Sequence, residues 1–251
     1  MESLKTFELK EKEPFRSDLT ADFVRHGQPK YTEEELKSAK LEGQLTEEGI
    51  KQTERRAIEL VGKIDKEKEL IVFWVSPRQR AQQTAGIISD IFQRQGIQVL
   101  KNLHTSPSLS DIKTSPQFWD DVIKNSEVKK WMEYWSESDL PGDTEKPEEV
   151  KRRVQRVVTY LERIARTIKP PEGKKLRFIC VGHEEIFRDL LEEGYGFGTK
   201  GSSGPSYAEV LSMDINKSEE KKAASLRLKF HGQEARLKFD KDNRNFSREE
   251  A

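Results

Sequence analysis

Short, continuously apolar runs alternate with longer amphipathic segments along most of this chain. The run "ELIVFWV" at 69–75 stops at Ser76-Pro77, which is typical of a buried strand. Comparable runs are "DFV" at 22–24, "IQVL" at 97–100 and "KLRFICVG" at 175–182. Strands that alternate with helices favour an α/β fold whose mostly parallel central sheet is covered by helices on both faces. We therefore predict a three-layer α/β/α architecture.

The segments between these runs have the apolar spacing of helices, and Thr46 is placed to cap the first of them. Helices are predicted at 45–64, 78–96, 146–171 and 184–194. A further strand is predicted at 207–215, and two more within 223–239, on either side of His231-Gly232. One domain is expected over residues 18–240. The charged segments 1–17 and 241–251 are expected to be frayed ends, and residues from about 105 to about 145 to form an insertion over the site.

The charge balance excludes several classes of partner. Lys+Arg and Asp+Glu both number 45, whereas a nucleic acid or an anionic membrane surface requires a basic excess or stripe. No run approaches the roughly 18–20 apolar residues of a membrane helix, and the charged N-terminal stretch lacks the apolar core of a secretory signal. The lone Cys180 suits a reducing compartment. We expect no nucleic-acid partner, no membrane partner and a cytoplasmic location.

Chemically active side chains follow three of the predicted strands. His26 comes after "DFV", His183 after "KLRFICVG", and Arg80 lies in the first helical turn after "ELIVFWV". The carboxyl ends of such strands form the ligand crevice of an open α/β sheet. Arginine binds tetrahedral oxyanions through its planar fork, and neutral imidazole can attack phosphorus. With Arg25 beside His26, the pattern predicts a phosphoryl-binding site with a histidine nucleophile.

Several motifs carry a resemblance to a known family. They are "VRHGQP" at 24–29, "QLTEEGIKQ" at 44–52, "SPRQRAQQTA" at 76–85, "PGDTEKPEEVKRRV" at 141–154 and "VGHE" at 181–184. In this order they resemble the histidine phosphatase superfamily, the phosphoglycerate-mutase-like group, over roughly residues 23–191. The resemblance implies a phosphoglycerate-mutase-like fold for the domain at 18–240.

The resemblance also implies roles for individual residues. His26 is expected to be the nucleophile that becomes a phosphohistidine. Arg25, Arg80 and His183 are expected to hold the phosphoryl oxygens, with Gln28 as a further substrate contact.

The family also needs a carboxylic acid that protonates the leaving oxygen, usually a Glu in a Leu-x-Glu pattern. In this chain Leu109-Ser110-Asp111 occupies that place, so Asp111 is the candidate, although it is one methylene shorter. Asp120, Asp121 and Glu127 remain rivals.

The expected activity is that of a phosphomonoester hydrolase acting through a phosphohistidine on a small-molecule phosphate monoester or a phosphoprotein. The stretch "SLSDIKTSPQFWDD" at 108–121 contains no arginine for a phosphoglycerate carboxylate, which favours a phosphatase over a mutase. A mutase and a non-catalytic phosphate-binding module remain alternatives. No cofactor and no metal are expected, because "GHEEIF" lacks the second histidine of a zinc site. The oligomeric state is left open.

Two further segments are expected near the pocket. The glycine-rich stretch 194–204 is predicted to be a loop at its mouth. The tryptophans of residues 119–135 are predicted to pack the insertion over the site, or alternatively to line the substrate pocket.

Overall fold

The computed structural model describes residues 17–38, 41–100, 103–124, 131–137, 139–196, 204–217, 223–240 and 242–249. The strands in these ranges are β1 (Leu19–Arg25), β2 (Pro29–Lys30), β3 (Gln44–Leu45), β4 (Glu69–Val75), β5 (His104–Thr105), β6 (Lys175–Gly182), β7 (Val210–Lys217), β8 (Ala223–Phe230), β9 (Gln233–Asp240) and β10 (Asn245–Arg248). The helices are α1 (Glu33–Ser38), α2 (Glu47–Val61), α3 (Gln79–Arg94), α4 (Pro116–Lys124), α5 (Trp131–Glu137), α6 (Pro147–Thr167) and α7 (Glu184–Tyr195).

Eight strands form one sheet in the order β10-β9-β8-β7-β1-β6-β4-β5. Strands β1, β6, β4 and β5 are parallel, and β7 joins the other side of β1 in the antiparallel sense. Strands β8, β9 and β10 extend this side as an antiparallel ladder. Strand β1 therefore lies in the interior of the sheet.

The central strands bury side chains on both faces of the sheet. Ala21 and Phe23 of β1 lie in the apolar cluster that α6 and α7 cover, whereas Val24 lies in the cluster that α2 and α3 cover. Phe178 and Ile179 of β6 divide in the same way. Burial on both faces explains why these strands are continuously apolar in sequence. The predicted α/β fold, with parallel strands at the centre and helices on both sides, is confirmed.

The run "IQVL" does not form the predicted strand. Among the described residues, Val99 alone makes a parallel bridge, to Ile71. Ile97 is buried in the cluster around α3, so this run packs against the side chains of that helix. On this edge, β4 pairs with β5 at its carboxyl end, through Trp74 and Val75.

The C-terminal segment 241–251 is more ordered than predicted. Residues Asn245–Arg248 form β10, which pairs with β9. Phe246 is buried, and its ring lies 5.2 Å from that of Phe239. This single apolar side chain anchors a segment whose remaining residues are mostly polar, and the expectation of a frayed end is wrong for these four residues.

The predicted insertion contains two short helices. In α4, Phe118 and Val122 are buried, and in α5 Trp135 is buried in the same cluster as the side chains of α6. No helix within the described ranges combines the length and the apolar character needed to cross a membrane.

Candidate active site

A pocket of about 490 Å³ lies where β1, β6 and β4 end. The sheet brings its two histidines together, because Arg25 is aligned with Gly182 in the β1–β6 register and the histidines that follow have ring centroids 5.0 Å apart. The structure thus gathers around one pocket the five residues for which the sequence suggests a catalytic role, namely His26, Arg25, Arg80, His183 and Asp111.

The imidazole of His26 is held in one orientation by two contacts. Its Nδ1 lies 2.8 Å from the carbonyl oxygen of Gly27, and Arg80 donates from Nε to its Nε2 at 3.1 Å. Because a carbonyl only accepts and a guanidinium only donates, Nδ1 carries the proton and Nε2 carries a lone pair. Burial, His183 and Arg80 lower the pKa of His26 well below 6.5. The ring is therefore neutral near pH 7.

His183 is fixed by a complementary pair of contacts. Arg80 donates from Nη2 to its Nδ1 at 3.0 Å, so its proton lies on Nε2, which donates to Oγ of Ser76 at 2.8 Å. Burial and the charge of Arg80 lower the pKa of His183 well below 6.5. His183 also precedes α7, so its backbone marks the start of that helix.

Arg25 presents an unused donor to this region. Its Nη1 donates to the carbonyl of Pro205 at 2.6 Å and lies 2.8 Å from Oε2 of Glu184. The guanidinium stacks 4.3 Å above the ring of Tyr207. Its Nε is buried without a hydrogen-bond partner among the described residues.

Asp111 is bound by two arginines. Its Oδ1 accepts from Nε of Arg78 at 2.8 Å, and its Oδ2 accepts from Nη2 of Arg80 at 2.7 Å. Arg153 of α6 donates to the carbonyl of Ser110 at 2.8 Å and to that of Asp111 at 3.3 Å. The Asp111 carboxylate therefore holds Arg78 and Arg80 in place.

Glu185 is a pocket residue that the sequence analysis missed. It is 6% exposed, lines the pocket, and its Oε2 is buried without a hydrogen-bond partner among the described residues. Burial, followed by the charge of Asp111, raises the pKa of Glu185 to about 7. The available signal was its position two residues after His183, in the first turn of α7.

Two glycines of the sequence motifs allow close backbone contact beneath the site. A Cβ on Gly27 would lie 2.5 Å from the carbonyl oxygen of Gly49, and one on Gly49 would lie 2.2 Å from that of Gln28. The carbonyl of Gln28 also accepts a 2.9 Å hydrogen bond from the backbone of Thr46. These contacts pack the start of α2 closely against the loop that follows His26.

Aromatic side chains form much of the remaining wall. Tyr31, Tyr207, Trp119 and Trp131 all line the pocket, and the two tryptophan rings have centroids 6.0 Å apart. The alternative interpretation of the tryptophans, as pocket-lining residues, thus applies to two of them. Trp135 instead packs within the core.

Three of the other sequence candidates lie outside the pocket lining. Gln28 is one of them, and its backbone N–H donates to Oε1 of Gln52 at 3.2 Å. Asp120 and Asp121 are the others, and Asp121 accepts from Gln117 at 2.7 Å. Of the three rivals to Asp111, these two aspartates therefore do not line the pocket.

The remaining expectations concern segments and metals. Glu127 and residues 197–203 of the glycine-rich stretch lie outside the described residues. Within the described ranges no three His, Cys, Asp or Glu side chains are grouped to hold a metal ion.

Solved structures share this fold at low sequence identity. A mycobacterial glucosyl-3-phosphoglycerate phosphatase is 18% identical, with a TM-score of 0.56, over 84% of this chain and 96% of its own. A putative alpha-ribazole-5'-P phosphatase from Escherichia coli is 19% identical, with a TM-score of 0.53, over 79% of this chain and 91% of its own. A phosphoglycerate mutase from Bacillus anthracis is 18% identical, with a TM-score of 0.54, over 78% of this chain and 87% of its own.

Sequence comparison gives the family. None of the curated proteins is similar enough to count as a significant match. The model of the histidine phosphatase superfamily (branch 1) matches residues 22–201, which include both histidines and the arginines Arg25 and Arg80 of the pocket. The chain belongs to the histidine phosphatase superfamily, branch 1.

Proposed function

We propose that this protein is a phosphomonoester hydrolase that works through a phosphohistidine at His26. The observation that carries the proposal is the state of the His26 ring. It is neutral, its Nδ1–H is held by the Gly27 carbonyl, and its Nε2 lone pair lies in a pocket lined by three arginines of the sequence motifs. A neutral imidazole fixed in this way is the form that attacks phosphorus.

In the proposed first step, Nε2 of His26 forms a bond to phosphorus while the bond from phosphorus to the ester oxygen breaks. Arg80 Nε, which donates to that lone pair at 3.1 Å, passes to a phosphoryl oxygen as the new bond forms. The guanidinium of Arg25, which also lines the pocket, supplies a second cationic donor. These donors stabilise the charge on the equatorial oxygens. Water then attacks the phosphohistidine and releases inorganic phosphate.

The distribution of cations favours hydrolysis over a mutase reaction. A phosphoglycerate mutase must also bind a carboxylate. Beside Arg25 and Arg80, the remaining cation among the described lining residues is Arg78, which already bonds to Asp111 at 2.8 Å and Glu42 at 2.7 Å. The rest of the wall is largely aromatic. A monoester with one anionic group fits this distribution better than a phosphoglycerate does.

The proposed substrate is a small-molecule phosphate monoester, because a pocket of about 490 Å³ has the usual size of a small-ligand site. A phosphoprotein side chain remains the alternative. A cytoplasmic location is proposed from the lone cysteine of the sequence, Cys180.

Turnover of p-nitrophenyl phosphate by the purified protein tests the proposal. Phosphate release should proceed through an acid-labile phosphoenzyme that forms with the parent protein and is absent from His26→Ala. A parent protein that turns over no phosphate monoester in a broad screen would fail this test, and binding of phosphate without turnover would indicate a non-catalytic module.

A further inference from the structure

Three carboxyl groups line the pocket, and one of them, Glu184, is paired with an arginine through its Oε2 at 2.8 Å. The surroundings of the other two differ. Asp111 receives hydrogen bonds on both oxygens, from Arg78 and from Arg80. Glu185 has an Oε2 that is buried without a hydrogen-bond partner among the described residues. A group that protonates a leaving oxygen must carry a proton and have a free oxygen to present it. The two carboxyls therefore suit different tasks.

Asp111 is arranged as an acceptor. Guanidinium groups donate only, so both of its oxygens receive hydrogen bonds, at 2.8 Å from Arg78 and at 2.7 Å from Arg80. To protonate an ester oxygen, it would have to leave at least one of these arginines. The backbone contacts of Arg153 to Ser110 and Asp111 hold this segment in place.

Glu185 is arranged as a proton carrier. Burial outweighs the attraction of Arg25 and raises the pKa of Glu185 to about 7. Because Glu185 lines the pocket, its carboxyl can donate a proton to an ester oxygen there when it is protonated near neutrality. The ionisable groups that act on Glu185 are Asp111 from the loop before α4, Arg25 at the end of β1, Tyr31 after β2, and Glu184 and Arg188 of α7.

We propose that Glu185, rather than Asp111, is the proton donor of the reaction, and that Asp111 is a positioning residue for Arg78 and Arg80. The inference rests on the proposed hydrolase function. As the bond between phosphorus and the ester oxygen breaks, that oxygen takes the proton of Glu185 and leaves as an alcohol. The resulting Glu185 carboxylate then accepts a proton from the water that attacks the phosphohistidine, which restores the starting state.

The dependence of the hydrolysis rate on the leaving group distinguishes the role of Glu185 from that of Asp111. Nitrophenolate leaves without a proton, whereas the alkoxide of glycerol does not. Glu185→Gln should slow hydrolysis of glycerol 2-phosphate by about 10²–10⁴-fold and change the turnover of p-nitrophenyl phosphate much less. Asp111→Asn should slow both substrates by similar factors, because it weakens the hold on the arginines that bind every phosphoryl group.

Asp189→Asn is the matched control for Glu185→Gln. Asp189 also lies on α7, its Oδ2 is buried without a hydrogen-bond partner among the described residues, and burial raises its pKa to about 6. It does not line the pocket. The control should leave both substrates unaffected, which separates a proton-donor role from the general effect of neutralising a buried acid.

The parent protein gives a second readout that does not depend on any variant. Its kcat for glycerol 2-phosphate should fall as pH rises through about 7, where Glu185 loses its proton, while kcat for p-nitrophenyl phosphate should lack this limb. Equal slowing of both substrates by Glu185→Gln, or selective slowing by Asp111→Asn, overturns the assignment. Lack of turnover of either substrate by the parent protein contradicts the hydrolase function itself, a separate outcome.

Discussion

The guanidinium of Arg80 donates to both histidines of the pocket, from Nε to Nε2 of His26 at 3.1 Å and from Nη2 to Nδ1 of His183 at 3.0 Å. One side chain thus determines which nitrogen of each ring carries a lone pair. Arg80 is itself 3% exposed, and its Nη1 bonds to the carbonyl groups of Leu41 and Glu42. Its position is fixed before any phosphate arrives.

Arg80→Lys should lower kcat by about 10²–10³-fold, the usual cost of removing a donor that stabilises charge in the transition state. Lysine keeps the charge but cannot donate in two fixed directions. Steady-state kinetics with p-nitrophenyl phosphate measures the effect. Arg55→Lys is the control, since Arg55 is an exposed residue of α2 that bonds to Glu48 at 2.8 Å. Comparable losses of kcat in the two variants would contradict a specific role for the planar guanidinium of Arg80.

His26→Ala should abolish both turnover and phosphoenzyme, because Nε2 of His26 is the proposed attacking atom. Rapid denaturation in alkali after mixing with labelled substrate traps the intermediate, and its label should be lost on later treatment with mild acid. His231→Ala serves as control, as His231 is an exposed side chain that bonds to Glu209 at 2.5 Å. Label that survives acid treatment would place the phosphoryl group on a hydroxyl or a thiol instead.

Vanadate should inhibit competitively, because it can adopt the five-coordinate geometry of the transferring phosphoryl group. Activity should also survive treatment with a chelator, since arginines supply the positive charge and the donors in the proposed mechanism. The measurements are a vanadate inhibition series and turnover after dialysis against EDTA. Restoration of a lost activity by added magnesium would count against the mechanism.

Glu185→Gln should change the pH dependence of stability. The folded state raises the pKa of Glu185 from 4.5 to about 7, so it binds more protons than the unfolded chain between these values. The free energy of unfolding therefore falls as pH rises from about 4.5 to about 7, by roughly 3 kcal/mol, and stays lower above. The substituted glutamine does not titrate, so the variant should gain stability relative to the parent as pH rises through this window. Chemical denaturation at pH 5 and pH 8 measures the difference, and an equal change in both proteins would contradict the prediction.

Gly49→Ala should destabilise the fold by about 1–3 kcal/mol, because its new Cβ would lie 2.2 Å from the Gln28 carbonyl oxygen. Gly86→Ala is the opposite case. Gly86 lies inside α3, and beyond its chain neighbours and the backbone of its own helix no atom of the described residues lies within 4 Å of the added Cβ. Alanine should therefore stabilise the helix by about 0.5–1 kcal/mol. Thermal unfolding of both variants tests the pair, and a shift of the same sign in both would contradict it.

Elements set by strong local patterns were predictable from the sequence. The central strands are buried on both faces and form apolar runs, and their ends deliver His26 and His183 to one edge of the sheet. Strand β10 was not predictable, because one buried aromatic, Phe246, anchors it within a charged segment. Nor was Glu185, whose local sequence is that of an acidic first turn of a helix. Its distinct environment arises from burial and from groups distant in sequence, such as Asp111.

The floor and the walls of the pocket come from different parts of the chain. Arg25, His26 and His183 extend from the interior strands β1 and β6, whereas Trp119 and Trp131 belong to α4 and α5 of the predicted insertion. Under the proposed mechanism, substitutions in α4 and α5 would therefore change the contacts to a leaving alcohol without disturbing the groups that break the phosphorus–oxygen bond. A chain built in this way can acquire a new substrate by changing one segment, while its reaction stays the same.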